Sequence, residues 1–345
     1  MAFYAEIRLN VALALFCLCI FGSDALISPQ LGERIQNIND LGPHLGLVIP
    51  TLQEMLPFIQ PPTFTPAPFP PIDIAGRRFH VGFIKGRVMV VAMSGRGMIN
   101  AAVTTQLLLC HFKVRGIIHY GTAGNGNPSL HIGDITIPRQ WAHTGMLNWE
   151  RFQSDTDTDE SYGYLDIAKY YVPSREGVQN LLYRISYQPD EIFRIDGTPE
   201  VPEKEFWVSV DDSYYTLAGK IEEKVELASC VNSTACLSHR PKIVRVERGC
   251  SANVYVDNSA YRDFLHKTFK ITPIDMETAG VALVCRSQGR PFIAMRSLAD
   301  LAGGSNEANE ASISTELSFP NSVTAVTGFI DMVPTPRLGS FTYDI

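Results

Sequence analysis

From Leu45 onward, short apolar runs alternate with segments whose apolar residues recur every three or four positions. The first pattern fits strands buried on both faces, the second amphipathic helices. LGLVIP (Leu45 to Pro50) predicts a strand and TLQEMLPFI a brief helix after it. QPPTFTPAPFPP is too rich in proline for regular structure and predicts an exposed loop. RFHVGFIKG and RVMVVAMSG predict two strands joined at Lys85-Gly86; a tight turn at Gly95-Arg96-Gly97 then leads into a helix from Ile99 to Phe112. GIIHY predicts a buried strand, GTAGNG a glycine turn, and DITIP the next strand.

Residues 139–242 are less regular, with an acidic loop, SDTDTDE, and an amphipathic helix from about Asp212 to Leu227. Beyond them the pattern predicts a strand through Asn253 to Val256 and helices from Asn258 to Phe269 and Glu277 to Gln288. RPFIAMRSLAD then reads as a last strand, and Asn321 to Met332 as a closing helix. Such alternation predicts an α/β fold, a three-layer αβα sandwich around a central mixed sheet. No linker divides the chain, so residues 26–345 are expected to form one domain, with residues 26–44 as a leader arm and an insertion at about 150–242.

The first 25 residues break this pattern. Arg8 precedes an apolar run from Val11 to Phe21, and Ser23-Asp24-Ala25 ends in small residues. This matches a secretory signal peptide cleaved after Ala25. The run is shorter than the roughly 20 residues a membrane span needs, and no later segment is long and apolar enough to cross a bilayer. The net charge of −7, with no cluster of Lys or Arg, argues against nucleic acid as a partner.

Secretion changes the reading of the cysteines. Cys110 and Cys285 sit in apolar helical patterns and are expected to be buried, whereas two of Cys230, Cys236 and Cys250 could pair. Asn232-Ser233-Thr234 in the same stretch is an N-glycosylation sequon. The cysteine and histidine spacing fits no zinc pattern.

Candidate chemistry falls at the predicted strand ends, where ligands bind in such sheets. Asp300 ends the strand MRSLAD and is either a turn aspartate or a carboxyl placed to share a proton with a ligand. Glu277 in DMETAG either complements a helix dipole or accepts hydrogen bonds from paired hydroxyls; Asp275 is an alternative N-cap. Glu54 reads as a solvated helix charge and Tyr255 as a core aromatic, unless they serve a site. Arg96, between two glycines, is the best single anion candidate, or else an exposed loop cation. GxSxG, Walker and HExxH motifs are missing.

Six segments taken in order, GLVIPTLQEM, SGRGMINAA, HYGTAGNGNPSLHIGDITIP, GCSANVYVD, DMETAGVALVC and PFIAMRSLAD, resemble the nucleoside phosphorylase and nucleosidase superfamily. The likeness runs from about Leu45 onward, apart from the middle insertion. Within it the sequence is most similar to the methylthioadenosine/S-adenosylhomocysteine nucleosidases, and to a plant branch holding bark and vegetative storage proteins and cytokinin-riboside phosphorylases. The resemblance implies cleavage of the N-glycosidic bond of purine-type ribosides. Asp300 would be the general acid toward N7 of the departing base, Glu277 and Met276 would contact the ribose, and Tyr255, with Val256 beside it, would contact the base. Arg96, Thr122, Gly121 and His119 would hold phosphate, with His119 otherwise a core histidine. The bare backbone of GTAGNG would let nucleophile and ribose approach the sheet ends.

For the nucleophile two implications conflict. The plant branch favours phosphorolysis, with phosphate as co-substrate, whereas Glu54 aligns with a glutamate that activates water. Asn253 and Ala252 depart from the aspartate and glycine usual at their positions, and a GDPxR phosphate loop is missing. No metal or organic cofactor is implied. A storage protein keeping the fold as a nitrogen reserve is the alternative function. The same branch implies a homo-oligomer in the vacuole or outside the cell.

Overall fold

A computed structural model describes residues 28–153, 161–169, 180–304 and 311–334. The signal-like residues 1–25 and the SDTDTDE loop lie outside the described residues. The main elements, in chain order, are α1 (Pro29–Asn39), β1 (His44–Ile49), α2 (Leu52–Ile59), β2 (Arg77–Ile84), β3 (Arg87–Met93) and α3 (Met98–His111). There follow β4 (Val114–Asn125), β5 (Ile135–His143), α4 (Asp212–Lys224), β6 (Ile243–Ser251) and α5 (Ser259–Phe269). The last are β7 (Ile271–Asp275), α6 (Thr278–Ser287), β8 (Phe292–Leu301) and α7 (Ala311–Met332).

These elements build the mixed sheet and helical layers that the apolar pattern predicts. Side chains alternate across a strand, and β1 shows the result: Leu45, Leu47 and Ile49 enter one core while Val48 enters the other. On the first face α2 contributes Met55 and Phe58, α4 Ala218 and Ile221, and α7 Val326 and Phe329. On the second, α1 contributes Ile35 and Ile38, α3 Ala101 and Leu108, and α6 Val281 and Ala282. A strand covered on both faces favours apolar residues at successive positions, which is why β1 after His44 reads as a continuous apolar run. Each such Leu, Ile, Val, Phe or Met side chain, once fully buried, contributes about 1.5–3 kcal/mol.

Pairing within the sheet positions the strand ends. β1 lies parallel to β3 and to β4, and β2 closes that side antiparallel to β3. On the other side β5, β6 and β7 run parallel to one another, β7 meets the end of β4 antiparallel, and β8 lies parallel to β4. β8 also pairs antiparallel with β5. The pairs β5–β6–β7–β4–β8–β5 therefore close a ring of five strands.

Several expectations change. GTAGNG is no turn: β4 runs through it to Asn125, and the chain turns only at Asn127 to Leu130. The predicted strand at Asn253 to Val256 is a loop, and the strand is β6, just upstream. Val254 and Tyr255 are exposed, so apolar character there does not report burial. The leader arm contains α1, capped by Ser28; the Pro-rich loop adds one short strand, Thr65–Pro66, to β2, and Ile72–Ile74 just after the loop adds a second. Cys110 is exposed, because it falls on the outer side of α3; Cys285 is buried. Cys230 pairs with Cys236 in a disulfide, and Cys250 stays buried in the core. Two strands within the predicted insertion, Tyr164–Asp166 and Arg184–Tyr187, join Leu147–Trp149 just before it in a separate three-stranded sheet.

Candidate active site

A cleft of about 280 Å³ opens where β1, β4, β7 and β8 end. Glu54, Arg96, Thr122, Tyr255, Met276, Glu277 and Asp300 all line it. Seven side chains separated by up to 246 positions in the sequence thus share one cleft.

Glu54 is delivered by the start of α2. Thr51 caps the helix, its hydroxyl accepting from the Glu54 N–H while Glu54 Oε2 accepts from the Thr51 N–H at 3.0 Å: a reciprocal capping box. The Thr51 hydroxyl also donates to Oε2, at 2.6 Å. The other oxygen, Oε1, accepts from the Thr122 N–H at 2.7 Å and the Thr122 hydroxyl at 3.0 Å. Glu54 is thus buried and fixed between the end of β1 and the middle of β4, not solvated.

Glu277 ends the turn between β7 and α6. Its Oε1 accepts from the Gly97 N–H at 2.9 Å, and Oε2 accepts from the Met276 N–H at 3.3 Å. Burial, and then the neighbouring Asp275, push this carboxyl above its ordinary range. Asp275 goes the other way. Burial alone would raise it, but Arg296 Nε at 2.6 Å and the hydroxyls of Ser251 and Thr278 hold it below the usual carboxylate range. Asp275 also accepts from the N–H groups of Glu277 and Thr278, so it caps α6. Two adjacent carboxyls are thereby pushed apart, one tied into the protein and one left facing the cleft.

Asp300 is half-buried at the end of β8, where the register with β4 slips between Leu298 and Asp300. Burial is the main cause that lifts its carboxyl above the ordinary range, with Asp257 adding and the Tyr255 hydroxyl opposing. That hydroxyl donates to Asp300 Oδ2 at 2.9 Å.

Four expected site residues lie elsewhere. His119 is fully buried behind the cleft: its Nδ1 donates to the Val48 carbonyl at 2.8 Å, and its Nε2 accepts from Arg296. Burial, then Arg296, lower this imidazole to about 3, so it carries no charge to offer a phosphate. Gly121 faces Arg296, not the cleft; a Cβ there would lie 1.9 Å from Nη1. Val256 packs beside the cluster of Leu265, Phe269 and Ile274. Asn232 sits in the Cys230–Cys236 loop, exposed as its sequon requires.

Sequence reasoning missed Arg296. It is fully buried, joins Asp275, Thr278 and His119, and keeps Nη1 without a hydrogen-bond partner. The signal was available, since an arginine inside the apolar run PFIAMRSLAD must find a partner. Asn253 was noted only as a departure. Its Oδ1 accepts from the Met98 N–H at 3.0 Å, capping α3. Among the described residues no group of three His, Cys, Asp or Glu side chains could hold a metal ion, and no helix is long and apolar enough to cross a membrane.

Bark storage protein B of Populus deltoides is 33% identical over 268 residues, covering 77% of this chain and 81% of that protein. The 5′-methylthioadenosine/S-adenosylhomocysteine nucleosidase of Marinomonas sp. is 28% identical over 230 residues, 67% of this chain and 75% of that protein. Among solved structures, futalosine hydrolase of Helicobacter pylori matches with a TM-score of 0.58 at 20% identity, covering 85% of this chain and all of that one. The 5′-methylthioadenosine/S-adenosylhomocysteine nucleosidase of Helicobacter pylori matches with a TM-score of 0.57, also at 20% identity, over 84% and 99% of the two chains. The family model described as the Phosphorylase superfamily matches residues 44–331, which include every strand of the ring and every residue of the cleft named above, and the chain belongs to that superfamily.

Proposed function

We propose that this chain cleaves the N-glycosidic bond of purine-type ribosides. One observation carries the reading: Asp300 and Glu277 line the same cleft, both with raised carboxyl pKa values. A half-buried carboxyl that stays protonated nearer to neutral pH is suited to general acid work. As the bond from C1′ to the base breaks, its electron pair goes to the base and the Asp300 proton goes to N7, so the base leaves neutral. Glu277 accepts hydrogen bonds from the sugar hydroxyls and stabilises positive charge building on the ring.

The geometry at Glu54 supports water as the nucleophile. A phosphate bound at Thr122 would meet the Glu54 carboxyl already on that residue's N–H and hydroxyl, and like charges at such short range repel. A water there would add its oxygen to C1′ and pass a proton to Glu54. Arg96, exposed at the rim, is the feature that favours phosphate instead.

Purified protein offered adenosine, methylthioadenosine and cytokinin ribosides should release free base together with the free sugar (ribose, or methylthioribose from methylthioadenosine) rather than its 1-phosphate, even with phosphate present. Asp300→Asn should lower the rate by roughly 10²–10⁴-fold with riboside binding retained. The sugar 1-phosphate as the product would transfer the nucleophile to phosphate; equal rates in the variant would remove Asp300 from the chemistry.

A storage role is the second reading, favoured by the 33% identity to bark storage proteins. Accumulation in storage tissue without turnover of any riboside supports it. Exposed Leu52 and Leu56 one turn apart on α2, with Ile99 and Val103 one turn apart on α3, support the homo-oligomer.

A further inference from the structure

Tyr255 is 70% exposed, so core packing does not explain where its ring lies. It stands on the loop after β6, and its hydroxyl reaches to the end of β8, 2.9 Å from Asp300 Oδ2. The second carboxyl oxygen, Oδ1, lies over β4, where a Cβ on Gly124 would come within 3.1 Å of it. Gly124 lines the cleft. One oxygen of the acid is therefore engaged by a donor, and the other faces the cleft across bare backbone.

We propose that Tyr255 is a positioning residue for Asp300, engaging Oδ2 so that the transferable proton is carried on Oδ1. This role rests on the assignment of Asp300 as the acid and is separate from any stacking of the Tyr255 ring on a base. A tyrosine hydroxyl donates readily to a carboxyl's carbonyl oxygen, and a protonated carboxyl then carries its own hydrogen on the opposite oxygen. When the glycosidic bond breaks, Oδ1 gives up that proton to the base and becomes an oxyanion. The tyrosine keeps its own proton throughout and strengthens its hydrogen bond as Asp300 becomes charged.

The charged groups around the pair are Asp257 on the same loop, Arg96 on the turn before α3, and Glu54, Asp275 and Glu277 around the cleft. Arg96 acts on the Tyr255 hydroxyl in the direction opposite to Asp300 and Asp257. The Tyr255 hydroxyl favours ionised Asp300, so removing it leaves burial and Asp257 to raise the carboxyl further.

The test is Tyr255→Phe, which keeps the ring and deletes the hydroxyl. Release of base should slow about tenfold in kcat, with KM little changed and the alkaline limb of the pH profile moved up by roughly half a unit to one unit. Unchanged kcat together with an unchanged limb would overturn the role. If the wild-type protein releases no base, the functional reading fails independently. The contact is then tested by titrating the carboxyl of Asp300 by carbon-13 NMR in wild type and Tyr255→Phe. An upward-shifted midpoint in the variant supports the positioning role, and identical midpoints refute it.

Discussion

Gly121 and Gly124 lie three residues apart on one strand, yet the space above each is kept for a different side chain. Above Gly121 sits the guanidinium of Arg296, with Pro50 Cγ 3.0 Å from where a Cβ would be; above Gly124 sits the carboxyl of Asp300. Alanine at 121 must displace a buried arginine from its ion pair with Asp275. Breaking a buried pair costs about 3–5 kcal/mol, and Gly121→Ala should lose a comparable amount in urea denaturation. A loss under about 1 kcal/mol would show that the arginine has another place to go. From the sequence these glycines read as room for a ligand. A single strand shows that bare backbone is needed, but not which distant residue needs it. The same limit hid the partners of His119, whereas Asp300 and Glu277 were legible as carboxyls at a strand end and a helix start, and Glu54 and Tyr255 stood out only through the family resemblance.

At the scale of elements, the first turn of α3 is held by side chains from two other segments, Glu277 at the Gly97 N–H and Asn253 at the Met98 N–H. Gly280 of α6 packs so closely on this turn that a Cβ would lie 2.4 Å from the Met98 carbonyl oxygen. Glu277 therefore joins two helix starts while remaining a carboxyl with a raised pKa. The sign of the linkage follows. A carboxyl raised in the folded state binds its proton more tightly there, so its contribution to stability falls as pH rises from the unfolded value through the folded one. Glu277→Gln has no such dependence. Its melting temperature relative to wild type should move in the variant's favour between pH 4.5 and pH 7, even as sugar binding is lost. A difference that is flat with pH would refute the linkage. Element types were largely readable, since buried runs such as β1 leave no ambiguity. Placement failed at β6, where Arg245 and Glu247 interrupt the apolar run and half-exposed positions alternate with exposed ones.

At the scale of the whole molecule, the disulfide and the sequon occupy one exposed loop. Asn232 Oδ1 accepts from the N–H groups of Thr234 and Ala235, and the disulfide from Cys230 to Cys236 closes around it. Disulfides persist in oxidising compartments, which supports passage through the secretory pathway. Protein expressed through that pathway should carry a glycan at Asn232, and Asn232→Gln should migrate faster on a denaturing gel. Identical migration, before and after a glycan-removing enzyme, would argue against it.

The ring of strands is completed by β8, the last strand among the described residues, which inserts between β4 and β5 and bears Asp300 at its end. During synthesis Glu277 and the helix starts around it emerge first, and Asp300, the proton donor in the proposed mechanism, reaches the cleft only when β8 docks. On that mechanism a chain lacking β8 would be chemically silent, and the appearance of turnover would report that the sheet has closed.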